Sequence, residues 1–387
     1  MKRYHQLDSL RGLAAATVLI HHFIFIFSGL WWLEMLNYTP LRIFKAGHEA
    51  VIFFFVLSGF VLSLPFYAQG AKVRISHFLI KRVCRIYIPY IVAVACAILA
   101  YLAFYREGAM PGFSSFFTDV WSFPLTPGLI IDHLLLLGSF KDFALDPVLW
   151  SLCVELRISL IFPFLMMFMI RFGWKTSLAF GILLSGLALL LNHLIKPDNP
   201  LPISSNLYFT LHYMAFFIIG ALLAKHRTSL IAGILRLSVS MKYVLLAAGL
   251  MIYTYAGISD AVLKKLFKAE GVWLSLLSDW GIAAGVCVLI STSLASPKIS
   301  GFLEIRPVLF LGNISYSLYL YHCIALFASV YAFHNVLPLW ATLLIALAAS
   351  ILLSVLSYEY VEKPAIALGK RWTARRSGGL SETKEAV

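Results

Sequence analysis

Leu10-Arg11-Gly12-Leu13-Ala14-Ala15-Ala16-Thr17-Val18-Leu19-Ile20-His21-His22-Phe23-Ile24-Phe25-Ile26-Phe27 is apolar enough to enter a bilayer, yet it carries an arginine near one end and two histidines toward the other. A helix needs about 20 mostly apolar residues to cross the hydrocarbon layer. Ionisable side chains at that depth are costly, so each calls for a functional reason. Eleven residues at about 100° each return the helix to within about 20° of its starting direction, so Arg11 and His22 share one face, roughly 16 Å apart along the axis. His21 points about 80° away from that direction.

The rest of the chain agrees with a membrane reading. Of its 387 residues 61% are hydrophobic and only 13% charged, and the mean hydropathy is +0.87. A soluble domain averages about 25% charged residues, so the composition excludes an ordinary soluble fold. The net charge of +13 could point to nucleic acid, but the placement of the basic residues argues otherwise. Runs near 20 apolar residues fall at about 10–32, 48–68, 87–105, 148–170, 174–195, 207–224, 242–258, 273–295, 308–331 and 337–360. The expected fold is an all-α integral membrane protein, a bundle of about ten transmembrane helices. The stretch 125–140, broken by Pro127, Asp132 and His133, reads as an interfacial or re-entrant segment.

With the N-terminus inside, the inner segments hold 22 basic residues and the outer segments eight, Arg42, Lys45, Arg106, Lys141, Lys196, Lys264, Lys265 and Lys268. That asymmetry orients the chain with both termini cytosolic, and no nucleic-acid partner is implied. Lys2 and Arg3 precede the first apolar run as they would in a secretory signal. The run's length, its histidines and the lack of a small-residue cleavage site keep it as the first span. One membrane-embedded domain over 1–366 is expected, followed by a cytosolic, disordered tail over 367–387, rich in Arg, Ser, Gly and Glu. No internal repeat of the transporter kind is found. The five cysteines, Cys84, Cys96, Cys153, Cys287 and Cys323, lie mostly in apolar runs without metal-ligand spacing and read as small apolar fillers. No metal is expected. The aromatic clusters at Trp31-Trp32 and Phe53-Phe54-Phe55 read as interface belt and lipid-facing bulk, and Ser58 and Gly59 as a site of close helix contact.

Three motifs resemble those of the acyltransferase type 3 family of membrane-embedded acyltransferases. Leu7-Asp8-Ser9-Leu10-Arg11-Gly12-Leu13-Ala14 followed by His22 is similar to its opening, an arginine and a histidine separated by ten residues. Phe54-Phe55-Val56-Leu57-Ser58-Gly59-Phe60 resembles its second-span motif, and Leu149-Trp150-Ser151-Leu152-Cys153-Val154-Glu155 its Trp-Ser-Leu-x-x-Glu signature. Weaker echoes are Arg82-Val83-Cys84-Arg85-Ile86-Tyr87, Asn313 through His322, and Val361-Glu362-Lys363-Pro364. The resemblance runs from about residue 3 to 366. Two departures stand out: an extra residue in Arg85-Ile86-Tyr87-Ile88-Pro89, and Leu156-Arg157-Ile158-Ser159 after Glu155 in place of an aromatic pair.

The resemblance implies transfer of an acyl group, acetyl in the first instance, from acyl-CoA to a hydroxyl of a carbohydrate-containing acceptor such as a surface or secreted glycan. It implies a bacterial inner-membrane location and no cofactor beyond acetyl-CoA as co-substrate. Such transfer needs a base with a pKa near neutrality and a group that steadies developing charge. Histidine is the side chain whose ordinary pKa fits. His22 lies roughly 18 Å from the inner end of its span, and Glu155 about 10 Å inside the outer end of the fourth, so the two could meet at similar depth. His22 and Glu155 are therefore the catalytic candidates, with Glu155 orienting the imidazole as the third member of a triad does. Whether His22 acts as general base or is transiently acylated stays open. Arg11, Arg82 and Arg85 are the donor-binding candidates, placed to pair with phosphate; the latter two also read as orientation anchors. Asp8, Ser58, Trp150, Tyr316, Tyr319 and His322 complete the cavity lining, His322 reading equally well as a core hydrogen-bonding residue. The alternative function is a multi-span transporter with an intramembrane His/Glu/Arg path.

Overall fold

The computed structural model describes residues 4–382 apart from 69–72, 109, 137, 196–202, 259–262, 264, 267 and 269, with backbone alone over 375–382. We label its longer helices α1 (His5–Phe25), α2 (Gly47–Tyr67), α3 (Ile75–Phe104), α4 (Leu149–Ile195), α5 (Phe209–Leu235), α6 (Val239–Tyr255), α7 (Val272–Ala295), α8 (Arg306–Phe333), α9 (Leu339–Ser357) and α10 (Lys363–Glu382). No strand occurs among the described residues. Seven helical stretches there are long and apolar enough to cross a membrane: α2, α3, α4, α5, α7, α8 and Leu339–Ala374, in which α9 runs through a π turn at Tyr358–Glu362 into α10. The chain is an all-α integral membrane protein.

Seven is not the ten of the sequence reading, and the physical reasons are local. Asp8, Arg11 and two histidines dilute the apolar character of α1, which stands outside the seven, as does the 17-residue α6. The fourth and fifth expected spans, 148–170 and 174–195, are the two helical halves of Leu149–Ile195, which follow one another without a loop across Gly173 at the non-helical φ of 77° and so count once among the seven. Glycine adopts that conformation without a Cβ clash. Two boundaries move further. The first span, expected to reach 32, stops at Phe25, and Trp31–Met35 is a separate short helix. The third, expected from 87, begins at Ile75, so Arg82 and Arg85 sit inside α3 rather than ahead of it. Segment 125–140 contains a nine-residue helix, Pro127–Leu135, too short to cross and closed by Leu136 in the left-handed region at φ 55°. The expected tail from 367 falls on α10, helical to Glu382; residues 383–387 lie outside the described ones.

Two close helix crossings set the frame. α1 packs along α8, and a Cβ on Gly312 would come within 2.6 Å of the Asp8 carbonyl oxygen, while one on Gly12 would strike the Gly312 backbone. α2 packs on α5, where Gly59 meets the backbone of Phe217 and Gly220 that of Val56. Small residues let membrane helices approach to backbone contact, where dispersion and packing hold them. Because α2 is wedged between α1, α5 and α7, Phe53 and Phe55 are buried, 4% and 2% exposed, and not the lipid-facing bulk that the sequence suggested. α3, α4 and α8 enclose the space beside α1 and α2.

Candidate active site

At the Arg11 end of the bundle α1, α2, α3, α4 and α8 line a cavity of about 70 Å³. Its charged and polar lining is Arg11, Ser58, Arg82, Arg85, Ser151, Glu155, Ser315 and the Tyr316 and Tyr319 rings. Arg11 pairs with Asp8, one turn earlier, at 3.3 Å. Glu155 accepts a hydrogen bond from the Ser58 hydroxyl at 3.2 Å on Oε1, and Arg82 Nη1 lies 3.9 Å from the same oxygen. Tyr316 donates to the Ile86 carbonyl at 2.8 Å, which ties α8 to α3 next to Arg85. The lining carries three guanidinium groups and one carboxylate, with Asp8 and Glu362 close behind it, so guanidinium donors face the cavity although the charges nearly balance. Of the residues placed on the lining from sequence, Ser58, Tyr316 and Tyr319 are there; Trp150 lies behind it, packed against Phe55 and Tyr213.

His22 is not on that lining, and its partner is not Glu155. One turn of α8 beyond Tyr319, His322 holds it: His22 Nδ1 and His322 Nε2 are 2.9 Å apart. His322 Nδ1 lies 2.9 Å from the Leu318 carbonyl oxygen, which can only accept. Neutral His322 therefore carries its proton on Nδ1 and presents a lone pair on Nε2. His22 donates from Nδ1, so its own Nε2 is the unprotonated nitrogen, the state a general base requires. His322, not Glu155, is the group in contact with the His22 ring, and Ser58 and Arg82 engage the Glu155 carboxylate. Between the two levels stands a hydroxyl pair, Tyr319 Oη and Ser151 Oγ at 2.7 Å. Phe116 stacks on the far face of the His22 ring, centroids 5.5 Å apart, and Ser114 fastens that segment to the end of α1 by a 2.7 Å bond to the Phe25 carbonyl.

His22, His322 and Cys323 each bring a ligand atom within 4.8 Å of the others, and these are zinc donor types. Two nitrogens on a tetrahedral zinc stand about 3.3 Å apart given bonds of 2.0–2.1 Å. The 2.9 Å separation is that of a hydrogen bond.

A family model described as an acyltransferase domain matches residues 4–359. The chain belongs to the acyltransferase type 3 family. Among its relatives are an O-acetyltransferase OatA of Staphylococcus aureus, 25% identical over 379 residues, covering 92% of this chain and 56% of the relative. A putative peptidoglycan O-acetyltransferase YrhL of Bacillus subtilis is 24% identical over 388 residues, 96% of this chain and 56% of the relative. The peptidoglycan O-acetyltransferase OatA of Listeria monocytogenes is 23% identical over 381 residues, 92% and 55%. The chain thus spans a little over half the length of these relatives. No solved structure matches.

Within this type 3 acyltransferase, several residues that the sequence reading left aside join the site. Glu362, in the π turn, is buried and accepts from the Ser317 hydroxyl at 3.0 Å, adding a carboxylate near Arg85 and Arg11. Its motif was visible; its side chain is brought round by the extra residue of the π turn. Arg157, which residues two apart on a helix keep from Glu155, instead ties loops together, donating to the carbonyls of Ser205 and Gly138, both at 2.8 Å. Ahead of α4, Asp142 accepts from the Ser205 amide at 2.9 Å; burial pushes its carboxyl up to about 6, with the bonds from Ser205 acting the other way. Asp146 is fully enclosed. Its Oδ1 accepts from the Val148 amide at 3.2 Å, Oδ2 has no partner, and burial pushes it up to about 8.

Proposed function

We propose that this membrane protein transfers an acetyl group from acetyl-CoA to a hydroxyl of a cell-surface glycan, peptidoglycan being the acceptor that the relatives' names suggest. The observation that carries the reading is the stacking of two levels along α1 and α8: a triple-arginine cavity, and beyond it a histidine whose free nitrogen is set by a second histidine. Arg11, Arg82 and Arg85 would take the phosphates of the coenzyme through charge-assisted, often bidentate bonds. A cavity of about 70 Å³ is room for roughly two waters, so it takes only the phosphate end of the coenzyme while the acetyl thioester reaches on toward His22. The acceptor oxygen attacks the thioester carbonyl carbon and gives its proton to His22 Nε2. The carbon–sulfur bond breaks, and the coenzyme thiolate leaves, taking the proton back from His22. The donor enters from the cytosol with both termini on that side, and the acceptor comes from outside the inner membrane.

The test is acetyl-CoA thioester cleavage and acetyl transfer by the purified, detergent-solubilised protein. His22→Ala should abolish transfer at normal insertion and leave acetyl-CoA binding in place. Arg11→Ala should weaken that binding by about tenfold, the loss of one charged hydrogen-bonded contact, with Arg11→Lys recovering part. Wild-type protein that neither binds nor cleaves acetyl-CoA would sink the reading.

A further inference from the structure

At the His22 end a second cavity, of about 280 Å³, opens between α2, α7 and the segment after α1, with Arg42, His48, Glu49, Ser275 and Asp279 in its wall. A chain of hydrogen bonds runs behind it. Trp280 Nε1 donates to Ser185 Oγ at 3.2 Å, and Ser185 lies 3.0 Å from His212 Nδ1. His212 Nε2 is 3.1 Å from Asp279 Oδ2, and His48 Nε2 is 2.6 Å from Asp279 Oδ1. The carboxylate accepts from both imidazoles, so His48 Nε2 carries a proton and neutral His48 has its lone pair on Nδ1. That nitrogen is buried without a partner, as is Nε of Arg42, whose Nη2 holds Glu49 at 3.1 Å. Buried polar groups are normally hydrogen-bonded; these two belong to side chains of the cavity wall, and both atoms are closed off from its open space. Gly257 keeps the space clear: a Cβ there would lie 3.1 Å from both Arg42 Nη2 and Glu49 Oε1.

The charges decide the ligand class. With His48 neutral, Arg42 and Lys45 are balanced by Glu49 and Asp279 on the same wall. Only one arginine stands here, against three on the first cavity. Alternating donors and acceptors with Ile203 and Ile282 beside them suit a neutral polyhydroxylated ring, whose hydroxyls need both and whose carbon faces need apolar contact. The cavity comes within one ring of the reacting histidine. His21 lines it, held by a 2.7 Å contact from Nδ1 to the Lys45 carbonyl, and the His21 and His22 rings are 5.2 Å apart.

We infer that this cavity binds the acceptor saccharide, with Arg42 and the Asp279-oriented His48 as its hydroxyl-recognising residues; the inference rests on the acetyl-transfer reading above. The first measurement does not need turnover. Ser275→Cys, on the cavity wall, is labelled with a membrane-impermeant maleimide, over the background of the native cysteines. A peptidoglycan disaccharide should slow labelling, and should fail to do so when His48→Ala or Gly257→Leu is added. The second is kinetic: either variant in the otherwise native chain should raise KM for the disaccharide by about tenfold, one lost hydrogen-bonded contact, while acetyl-CoA affinity stays at the wild-type value. Labelling indifferent to the saccharide in the unaltered cavity, or an unchanged KM in both variants, overturns the proposal. Loss of acetyl-CoA affinity together with KM would make the cluster a structural support and overturn it as well. A wild type that is protected by the disaccharide yet never cleaves acetyl-CoA would leave the saccharide site standing and remove the acetyl-transfer reading instead.

Discussion

The Leu318 carbonyl fixes which nitrogen of His22 is free, through His322 and two hydrogen bonds of 2.9 Å. His322 is thus a positioning residue, and its loss should act on kcat. His322→Ala leaves His22 able to adopt either tautomer, and a base in the wrong state forfeits much of the roughly 10²–10⁴-fold that general base catalysis supplies. We expect His322→Ala to cut kcat by about 100-fold with KM for acetyl-CoA unchanged, and His322→Gln, whose amide oxygen can accept from His22 Nδ1, to recover part of it. Equal loss in the two variants, or a change confined to KM, would show that His322 only packs. The Arg11–His22 register was readable because one helix carries both residues and the period of 3.6 relates them. Glu155 was readable as a charge within a span, and Arg82 and Arg85 as charges ahead of one. What could not be read is who meets whom: His22 and His322 are 300 positions apart, and His48, His212 and Asp279 lie on three helices with no spacing that joins them.

Helices explain the remaining departures, because ends and crossings depend on neighbours. α1 stops at Phe25 where the Ser114 amide and hydroxyl take the Ile26 and Phe25 carbonyls, both at 2.7 Å; apolar residues continue past that point, so hydropathy alone extends the span. α3 starts early because helical backbone continues through Lys81, Arg82 and Arg85, which composition separates from the apolar run but helix geometry does not. Gly59 was legible as a contact glycine. Gly220 was not, since its meaning comes from the Val56 carbonyl across the crossing. Gly220→Leu must push α5 away from α2, and overpacking of this kind costs about 3 kcal/mol. The expected result is a clear fall in the thermal unfolding midpoint in detergent, together with loss of activity, as Ser58 shifts relative to Glu155. A midpoint within about 2 °C of wild type, against the roughly 6–12 °C that about 3 kcal/mol gives a domain of 150–250 residues, would mean that the crossing is looser than the backbone contact indicates.

Among the described residues the two cavities approach one another at the adjoining His21 and His22 rings, with the Tyr319–Ser151 pair between the arginines and the histidines. Their relative placement depends on how the loop before α4 seats that helix's first turn, which carries Trp150 and Ser151. Asp146 anchors this seat: its main-chain carbonyl takes the Leu149 amide at 3.2 Å, and its side chain the Val148 amide. Burial raises its carboxyl from the ordinary 3.8 to about 8. Between those two values the folded chain keeps a proton that the unfolded chain releases, so the folded state binds more protons and stability falls as pH rises through that window. The penalty is absent below about 4, is complete above about 8, and does not grow further beyond it. Asp146→Asn keeps an acceptor for the Val148 amide and cannot ionise. Its unfolding midpoint should therefore stay flatter than wild type from pH 5 to 8 and exceed it at about pH 8, where the native aspartate must either ionise in a closed site or hold its proton against solvent. Thermal unfolding of the two proteins in the same detergent across that range checks this. Parallel curves, or a wild type that gains stability toward pH 8, would show that the carboxyl is ionised and partnered in the folded chain, and the seat of α4 would then rest on charge instead of on a neutral hydrogen bond.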